Sequence, residues 1–496
     1  MQKLNVGFIG CGRIADLHYK AYCADKRARV YALCDIDQEL LQARATEWKV
    51  AKIYRDYREL LADKEVDAVE ILVPHSDSLH EKIALQAIAS GKHVALQKPI
   101  TTDLAGADRI VTAARQTSKV FKVTENYVFY PPIQLARKMI DEGEVGEPLS
   151  VRIKFISGSY GGWPVPPQSW RWRVHEMSQG RGTATFDHGH HLWATAWFLL
   201  GEVDEVIAWI DRKTIVDCPA TVMWKYRHSG RYGSADLTHC PELLIPSDYY
   251  TNDEWIEIAG TRGLIRINRC SARVNEGAAV SVFDSSGWKH YDVESDWAIG
   301  FVEATKNFID AIVCSKKPLL NAEEGREILR FALAVRKSAV CNRSVCLDEL
   351  DSKFPTFYRM KRQVEERIEK LKGVRISNFF EDTSKYAPQA LPLTRKYLSN
   401  FDASAAAGWD IVIGLHLTAD GDVQEELLAI TIRDGKLTLD FGDIPANAAL
   451  RICMPHGVWA AILLRKKRPE VAFFQGKIKV EGQLEQGLKL RELFKL

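Results

Sequence analysis

The sequence lacks an excess of charge of either sign. Its 67 Lys and Arg residues nearly balance its 65 Asp and Glu residues, and neither sign is concentrated in long blocks. Proteins that bind nucleic acids or membrane surfaces usually carry a basic patch or run, so we expect no nucleic-acid partner. No apolar run reaches the roughly 20 residues that a transmembrane helix needs. We therefore expect no membrane insertion.

The ten cysteines include no CxxC pair, which argues against a zinc ribbon and against a dithiol redox motif. Scattered cysteines of this kind are typical of reduced thiols in the cytosol. The first residues, MQKLNVGFIGCG, lead directly into a strand pattern, without the basic and apolar regions of a signal peptide. Together these absences predict a cytoplasmic protein. The length of 496 residues predicts two or three domains.

A glycine-rich turn follows the first predicted strand. In the GxGxxA motif of GFIGCGRIA, Gly10 permits a tight turn, Gly12 lets the backbone approach a pyrophosphate, and Ala15 lets the helix pack closely on the strand. Arg13 and Ile14 begin the helix, whose free N–H groups would face the phosphates. The motif predicts a dinucleotide-binding turn, and the alternative is a structural glycine turn without a ligand.

An acidic residue strengthens the dinucleotide interpretation. Asp35 ends the second predicted strand, ARVYALCD, where a carboxylate accepts hydrogen bonds from the ribose hydroxyls of NAD and repels the 2′-phosphate of NADP. Its neighbour Ile36 offers that phosphate no positive charge, so NAD is the expected cofactor and NADP is disfavoured. The next segments alternate strand and helix, as in a doubly wound parallel sheet. Pro74, Gln97 and Lys98 fall at the carboxyl ends of its strands, where ligands bind.

Several separate motifs carry a resemblance to a known family. GFIGCGRIA, VPHSDSLHEKIALQAIASGKHV, GKHVALQKPIT, EVGEPLSVR, QGRGTATFDHGHHLWATAWFLLG and EIAGTRGLIRIN resemble segments of the Gfo/Idh/MocA oxidoreductases. The resemblance implies a Rossmann domain at 1–125 and an α/β domain at 126–350, whose open, mostly antiparallel sheet forms the substrate wall. In this family that sheet is often an oligomer interface, so a homo-oligomer is expected.

The resemblance also assigns candidate catalytic residues. Lys98 matches the lysine of the family's EKP motif, and Asp187 and His191 match the aspartate and histidine of its DxGxH segment. The sequence departs from the family at Gln97, which replaces the glutamate of EKP, and at Ala194, where an aspartate is frequent. The first departure removes a negative charge near the cofactor and Lys98.

The segment TFDHGHHLWATAW concentrates one aspartate and three histidines. If a helix begins at the aspartate, Asp187 and His191 are four residues apart and share a face. Imidazole titrates near neutrality, so His191 can take a hydroxyl proton while hydride leaves the same carbon. Asp187 would then orient the ring and stabilise the imidazolium. His188 can line the same pocket, whereas His190 points to a different side.

A zinc site is a competing interpretation of this segment. His188, His191 and Asp187, with His175 or Glu176, are residue types that zinc uses as ligands. The two histidines four residues apart that metalloproteases place on a helix are missing, however. We expect no metal, and a purely structural helix start is the third interpretation.

Lys98 and His80 each have a structural alternative. Lys98 precedes a proline that ends a strand, but the resemblance places it between nicotinamide and substrate, where it would bind the reacting oxygen. His80, in HEKIAL, is interpreted as a helix-start or cofactor-shell residue rather than as a base.

The substrate side is predicted from a Gly-, Pro- and Trp-rich segment. SGSYGGWPVPPQSWRWR, residues 157–173, predicts an irregular loop, and loops on rigid scaffolds often carry binding function. Sugars and cyclitols stack their C–H faces on indole rings and bind guanidinium groups through hydroxyls. Core packing is the alternative for any one tryptophan. The candidate substrate contacts are Tyr127, Trp163, Trp172, Arg173, His188 and Tyr250.

The last third of the chain has a different pattern. The charged segment FYRMKRQVEERIEKLKGV predicts a helical linker at 351–384. From 385 to 496, short strands separated by DG turns precede an apolar helix, a strand and a final amphipathic helix. AAGWD, IRDGKLTL and FFQGKIKVEGQLEQGLKL resemble the sterol carrier protein type 2 family, a small α+β fold around an apolar tunnel. The domain either serves assembly or holds an apolar portion of the substrate.

These observations predict an NAD-dependent oxidoreductase that acts on a secondary hydroxyl of a sugar, cyclitol or glycoside. Two alternatives stay open. A redox-assisted enzyme would use NAD transiently, acidify the adjacent C–H and cleave a glycosidic bond with no net consumption of NAD. A non-catalytic carrier of hydrophobic ligands would use its Rossmann portion only to sense a bound dinucleotide.

Overall fold

A computed structural model describes residues 3–211, 216–227, 230–351, 382–406 and 408–482. The chain divides into two compact units, residues 1–358 and 359–496. Most of the helical linker predicted at 351–384, and the final amphipathic helix predicted after residue 482, lie outside the described residues. No helix within the described ranges is both long and apolar enough to cross a membrane.

The first unit begins with a six-stranded parallel sheet. Its strands are β1 (Leu4–Ile9), β2 (Ala28–Cys34), β3 (Lys52–Tyr54), β4 (Ala68–Ile71), β5 (His93–Gln97) and β6 (Phe121–Thr124). They pair in the order β3-β2-β1-β4-β5-β6. The central strands β1 and β4 are almost fully buried, which explains why their sequences are mostly apolar; the exceptions, Asn5 and Glu70, are themselves buried and hydrogen-bonded. The predicted doubly wound Rossmann fold is confirmed.

Five helices connect these strands: α1 (Arg13–Cys23), α2 (Gln38–Trp48), α3 (Tyr57–Ala62), α4 (Leu79–Ala89) and α5 (Leu104–Arg115). Asp37, Asp56 and Asp103 cap α2, α3 and α5 by accepting backbone N–H bonds, as short polar residues at helix starts do. The start of α1 has no such side-chain cap, so its N–H groups remain free for a ligand.

A nine-stranded sheet follows. Its strands are β7 (Pro148–Ser157), β8 (Val203–Ile210), β9 (Ala220–Tyr226), β10 (Tyr232–His239), β11 (Asn252–Gly260), β12 (Leu264–Ile267), β13 (Val280–Asp284), β14 (Gly287–Tyr291) and β15 (Val345–Cys346). The order is β14-β13-β12-β11-β7-β10-β9-β8-β15, and only the β7–β10 pair is parallel. The predicted mostly antiparallel sheet is confirmed.

Burial alternates along these strands. On β7, Val151, Ile153 and Phe155 are buried, whereas Arg152 and Lys154 are exposed, so one face of the sheet packs on helices and the other is polar. The helices of this region are α6 (Pro131–Asp141), α7 (Pro167–Ser178), α8 (Gly189–Leu200), α9 (Ile299–Val313), α10 (Ala322–Cys341) and α11 (Asp348–Asp351).

The loop predicted for 157–173 is only partly correct. Ser157 is the last residue of β7 and the segment is irregular from there to Pro166, but α7 begins at Pro167 and includes Trp172 and Arg173. A proline suits the first helical position because its fixed φ matches the helix and its missing N–H would have no partner there. The prolines that suggested a loop therefore mark a helix start.

The second unit contains a five-stranded sheet. Its strands are β16 (Asp410–Thr418), β17 (Glu426–Arg433), β18 (Lys436–Phe441), β19 (Leu450–Pro455) and β20 (Lys479–Gly482), in the order β18-β17-β16-β19-β20. Its helices are α12 (Ala390–Leu398), α13 (His456–Leu463) and α14 (Pro469–Phe474). The DG turn between β17 and β18 has positive φ at Asp434 and Gly435, as a tight hairpin requires.

Candidate active site

The glycine-rich turn between β1 and α1 is tight on one side and open on the other. Gly10 has φ +100°, and a Cβ added there would lie 2.9 Å from the carbonyl carbon of Leu72. Gly12 precedes α1, and a Cβ added there would meet no atom within 4 Å. The open space beside Gly12 and the uncapped start of α1 fit a pyrophosphate group.

Asp35 lies beside this turn. Its carboxylate accepts the backbone N–H of Cys11 at 2.7 Å and that of Asp37 at 2.9 Å, which fixes its direction at the end of β2. Ile36 is 83% exposed and brings no positive charge. The residues present therefore fit the diphosphate and the unphosphorylated ribose of NAD.

The other cofactor candidates are spread along the same edge of the sheet. The guanidinium of Arg13 lies 5.3 Å from the centre of the Trp163 ring, so it joins the glycine turn to the substrate segment. Ile14 is half-buried against the Rossmann core, and Pro74 is exposed beyond β4. Gln97 accepts the backbone N–H of Lys98 through Oε1 at 2.8 Å.

His80 does not face open space. It is 1% exposed, and its Nδ1 and Nε2 atoms lie 2.7 Å from the Pro99 carbonyl and 2.8 Å from the Val73 carbonyl. Burial, with the neighbouring His75, lowers the pKa of His80 to about 4. His80 therefore lies in the first turn of α4, as one of the two interpretations predicted, and bridges the backbone segments at Val73 and Pro99; its place in the cofactor shell stays a prediction.

Lys98 connects the Rossmann sheet to the histidine segment. Its Nζ donates to the Asp187 backbone carbonyl at 2.7 Å and to Asp187 Oδ1 at 2.9 Å. Arg173 Nε donates to the other carboxylate oxygen at 3.2 Å. Burial opposes ionisation of Asp187, but the charges of Lys98 and Arg173 outweigh it and hold the pKa of that carboxyl well below its usual value.

The histidine segment does not begin as an α-helix. Residues Thr183–His188 form a π-helical turn before α8 starts at Gly189, and Asp187 N–H bonds the Gly182 carbonyl at 3.0 Å. Asp217 holds this turn by accepting the backbone N–H groups of Ala184 and Thr185. A π-helical turn contains more residues than an α-helical one, so the four-residue spacing no longer places side chains on one face.

The predicted pairing of Asp187 with His191 is therefore wrong. The Nδ1 atom of His191 lies 2.7 and 2.8 Å from the two carboxylate oxygens of Glu125, which is 2% exposed. Burial lowers the pKa of His191, and Glu125 opposes that shift. Among the described residues, the Nε2 atom of His191 has no hydrogen-bond partner, so it is available to a substrate.

Sequence reasoning missed Glu125, although a signal was present. Glu125 directly follows β6 as Lys98 directly follows β5, and the pairing of Gln97 with Thr124 puts the two strand ends side by side. Polar residues at the carboxyl edge of a parallel sheet meet in space. The segment KVTEN could therefore have been predicted, like LQKPI, to place a polar residue at the ligand-binding edge of the sheet.

A second histidine–carboxylate pair lies beside the first. His188 Nε2 is 2.5 Å from Glu254 Oε1, and the rings of His188 and His191 are 5.1 Å apart. Tyr127 is 1% exposed, donates its hydroxyl to Glu254 at 3.1 Å and stacks on His191 at 4.3 Å. Tyr127 therefore supports the two pairs from the protein interior, and its predicted substrate contact is corrected.

The remaining substrate candidates line one side of the histidine segment. Trp163 packs edge-to-face on Tyr250 at 5.5 Å. The guanidinium of Arg173 lies 4.4 Å from the Trp172 ring centre, and Trp172 meets His75 edge-on at 5.0 Å. Burial raises the pKa of Tyr250, and its charged neighbours include Arg173, Asp187 and Arg13.

The side chains proposed as zinc ligands are occupied by other partners. Glu176 pairs with Arg181 and His75, and His175 lies 3.4 Å from Asp77. His190 is buried and its Nδ1 contacts the Phe186 carbonyl. No group of three or more His, Cys, Asp or Glu side chains in the described part of the chain is arranged to hold a metal ion.

Comparison with known proteins identifies the families that the chain resembles. Residues 4–125 match an oxidoreductase family with an NAD-binding Rossmann fold, residues 137–347 match the C-terminal alpha/beta domain of that family, and residues 396–495 match the SCP-2 sterol transfer family. The chain is 26% identical over 361 residues to myo-inositol 2-dehydrogenase of Thermotoga maritima, which covers 70% of this chain and 99% of that protein.

Solved structures share the architecture of the first unit. A probable dehydrogenase from Thermotoga maritima has a TM-score of 0.56 at 26% identity, covering 70% of this chain and 100% of that one. A levoglucosan dehydrogenase in complex with NADH and L-sorbose has a TM-score of 0.60 at 22% identity, covering 70% and 99%. The similarity to levoglucosan dehydrogenase shows that the two proteins share a fold.

Proposed function

The chain belongs to the Gfo/Idh/MocA oxidoreductase family, and we propose that it transfers hydride from a secondary hydroxyl of a sugar, cyclitol or glycoside to NAD. The relatives named above, which act on inositol and levoglucosan by their names, support this substrate class. The observation that carries the proposal is the convergence of Lys98 and the His191–Glu125 pair at the carboxyl edge of the Rossmann sheet.

The glycine turn, the start of α1 and Asp35 would hold NAD, which supplies the hydride acceptor. His191 then removes the hydroxyl proton through Nε2, because Nδ1 is already bound to Glu125. Glu125 stabilises the imidazolium that forms, as the carboxylate of a catalytic triad does. Lys98 binds the reacting oxygen and favours the negative charge that develops there.

Asp187 acts through Lys98 rather than through His191. With its carboxylate shared between Lys98 and Arg173, it fixes the ammonium group and keeps both cations in place. Trp163, Trp172 and Tyr250 would offer apolar ring surface to the substrate, and Arg173 and His188 would offer polar groups to its hydroxyls. This division of roles suits a polyol with an apolar C–H face.

The test is an anaerobic incubation of the purified protein with NAD and a panel of sugars, cyclitols and aryl glycosides, followed through NADH absorbance and the organic products. Stoichiometric NADH and ketone are expected, and His191→Ala should lower kcat by about 10²- to 10⁴-fold. His175→Gln is the matched control, since the His175 side chain is half-exposed and lies 3.4 Å from Asp77, away from Lys98 and His191 in the contacts of the described residues. Cleaved glycoside without accumulated NADH would favour redox-assisted cleavage, and no turnover would favour a non-catalytic carrier.

The proposal includes a homo-oligomer built on the open face of the nine-stranded sheet. Strand register places one set of exposed large side chains on that face: Trp209, Met223, Tyr232, Phe283 and Trp288. Aromatic and methionine side chains are enriched at protein interfaces. Light scattering should give a mass above one chain, and Trp209→Glu with Met223→Glu should lower it; a monomeric wild-type protein would contradict the assignment.

For the second unit, the proposal is that it holds an apolar portion of the substrate. Its support is a buried apolar row on one face of β16, in which Ile411 and Ile413 belong to one apolar cluster and Leu415 and Leu417 to a second. The full-length protein should bind a pyrene-labelled fatty acid, with an increase in probe fluorescence. No binding would favour the assembly role.

A further inference from the structure

The candidate active site contains two neighbouring imidazole–carboxylate pairs, and oxidation of one hydroxyl uses only one of them. In each pair one ring nitrogen contacts a buried carboxylate: His191 Nδ1 contacts Glu125, and His188 Nε2 contacts Glu254. The carboxylates are 2% and 0% exposed, whereas the two histidine side chains are 12% and 18% exposed. Each histidine therefore presents its opposite edge toward solvent.

The His188–Glu254 pair, like the His191–Glu125 pair, is held in place by further contacts. Glu254 accepts hydrogen bonds from Tyr127 Oη and Asn252 Nδ2, both at 3.1 Å, in addition to its contact with His188. Phe155 packs on the His188 ring at 4.5 Å. Burying a carboxylate is costly unless it is well paired.

The free nitrogen of this pair is Nδ1 of His188, which has no hydrogen-bond partner in the described part of the chain. A carboxylate behind an imidazole stabilises its protonated form, so the open nitrogen can accept and return a proton. The ring centres of His188 and His191 are 5.1 Å apart. Two bases at this separation can act on neighbouring atoms of one bound polyol.

We propose that His188, supported by Glu254, is a second acid–base group that removes and returns the proton on the carbon next to the oxidised carbon. The inference rests on the proposed function, because the ketone made by oxidation acidifies that C–H bond. It extends the activity from hydride transfer to enolisation of the bound keto product. The substrate class is therefore a polyol with a hydrogen-bearing carbon beside the reacting one.

The chemistry of the step balances without a further reactant. The C–H bond breaks and its proton passes to His188 Nδ1, while the electron pair forms a C=C bond and the carbonyl π electrons move to oxygen. Lys98 or protonated His191 donates a proton to that oxygen, which gives an enol. The reverse steps return a proton to carbon, and in deuterated water that proton is replaced by a deuteron.

The test separates this step from hydride transfer. Full-length protein is incubated in D₂O with NAD⁺ and 2-oxo-myo-inositol, or with the ketone obtained from the panel above. Because both cofactor and ketone are oxidised, no hydride can move, and mass spectrometry counts the deuterium gained. Exchange should exceed the protein-free rate by about 100-fold or more, in the range of general acid–base catalysis.

Three variants test whether His188 and Glu254 catalyse that exchange. His188→Asn keeps an amide near the Nδ1 position and His188→Gln keeps one near Glu254, but neither carries a proton between carbon and water. Both should lower exchange at least about tenfold more than they lower kcat for NADH formation. Glu254→Gln should lower exchange in the same direction. Thermal unfolding of each variant checks that it folds.

Two results would overturn the inference: no exchange above the protein-free rate with the wild-type protein, or exchange that survives in both folded His188 variants. Loss of affinity alone, with the exchange rate at saturation unchanged, would reduce His188 to a hydroxyl-binding residue and would also overturn it. Failure of the proposed function is distinguishable, since it appears as absence of NADH formation from every polyol in the panel.

Discussion

The cofactor side of this site is formed mainly by backbone groups, whereas the substrate side is formed by paired charged side chains. On the cofactor side, the turn at Gly10, the open approach at Gly12 and the free N–H groups of α1 are backbone features, and Asp35 is the one acidic side chain involved. On the substrate side, charged side chains pair with one another at partly buried positions, as between Lys98 and Asp187.

The difference lies in what each side contributes to folding. The backbone turn is closed by hydrogen bonds that exist without a ligand, such as Gly10 N–H to the Cys34 carbonyl at 2.8 Å. The substrate side collects seven paired ionisable side chains: Lys98, Glu125, Arg173, Asp187, His188, His191 and Glu254. Removing one partner there leaves another charge buried and unpaired. Substitutions on the cofactor side should therefore change binding, and those on the substrate side should change folding and chemistry together.

Asp187→Ala should produce the largest effect and sharpen this comparison. It leaves the cations of Lys98 and Arg173 without their shared carboxylate, at side chains that are 14–20% exposed. The free energy of unfolding should fall by about 3 kcal/mol, the lower end of the range for breaking a buried pair. Urea unfolding of the full-length protein measures the cost. Asp187→Asn, which keeps an oxygen acceptor, should lose less. A cost below about 1 kcal/mol, typical of exposed ion pairs, would contradict the distinction between the two sides.

Gly12→Ala should change binding and leave folding intact. Gly12 has φ −65°, which alanine adopts readily, and its Cβ would meet no atom within 4 Å. The stability of the free protein should change by less than about 0.5 kcal/mol. The added methyl group would occupy the approach of the pyrophosphate, so affinity for NAD should fall about tenfold or more, equivalent to about 1.4 kcal/mol.

Gly10→Ala is the matched control for that change. Its φ of +100° and the 2.9 Å approach to Leu72 strain any side chain, so stability should fall by about 1–3 kcal/mol. Calorimetric titration with NAD and thermal unfolding without it distinguish the two variants. If Gly12→Ala bound NAD as tightly as the wild-type protein, the open space beside Gly12 would not be the pyrophosphate site.

The same contrast explains what the sequence predicted. The glycine turn and Asp35 follow from residues within one strand–helix–strand stretch, so a local pattern contains the whole arrangement. The two histidine pairs join residues that are 66 positions apart, and Lys98 and Asp187 are 89 apart. The π-helical turn Thr183–His188 adds a second obstacle, because it invalidates spacing rules that assume an α-helix.

Glu125 and Glu254 differ in how readily their places in the site could be predicted from the sequence. Glu125 follows β6 directly and could have been located from the parallel-sheet rule once Lys98 was placed at the end of β5. Glu254 lies at a buried position in β11 beside another acid, Asp253. Alternation with Ile256 and Ile258 puts Glu254 on the buried face of the sheet. The sequence shows no partner for a carboxylate there, and only the tertiary contacts with His188 and Tyr127 explain its burial.

The smallest effect expected is a shift in pH dependence on the substrate side. His191 must be neutral to take a proton from the substrate, and burial lowers its pKa from 6.5, with Lys98 and His188 acting in the same direction and Glu125 opposing. The rate of oxidation should therefore be independent of this group above pH 6.5. It should fall as pH decreases through a midpoint below 6.5, about tenfold per unit once the pH is well under the midpoint.

Glu125→Gln tests whether the Glu125 carboxylate raises the pKa of His191. Without the carboxylate, the remaining influences on the His191 pKa all lower it, so the midpoint of the pH–rate profile should move to lower pH. The plateau rate should also fall, because the imidazolium formed during oxidation loses its counterion. The two changes oppose each other at low pH, where the variant retains neutral imidazole that the wild-type protein has lost. A midpoint that moves to higher pH would mean that Glu125 does not act on His191 through its charge.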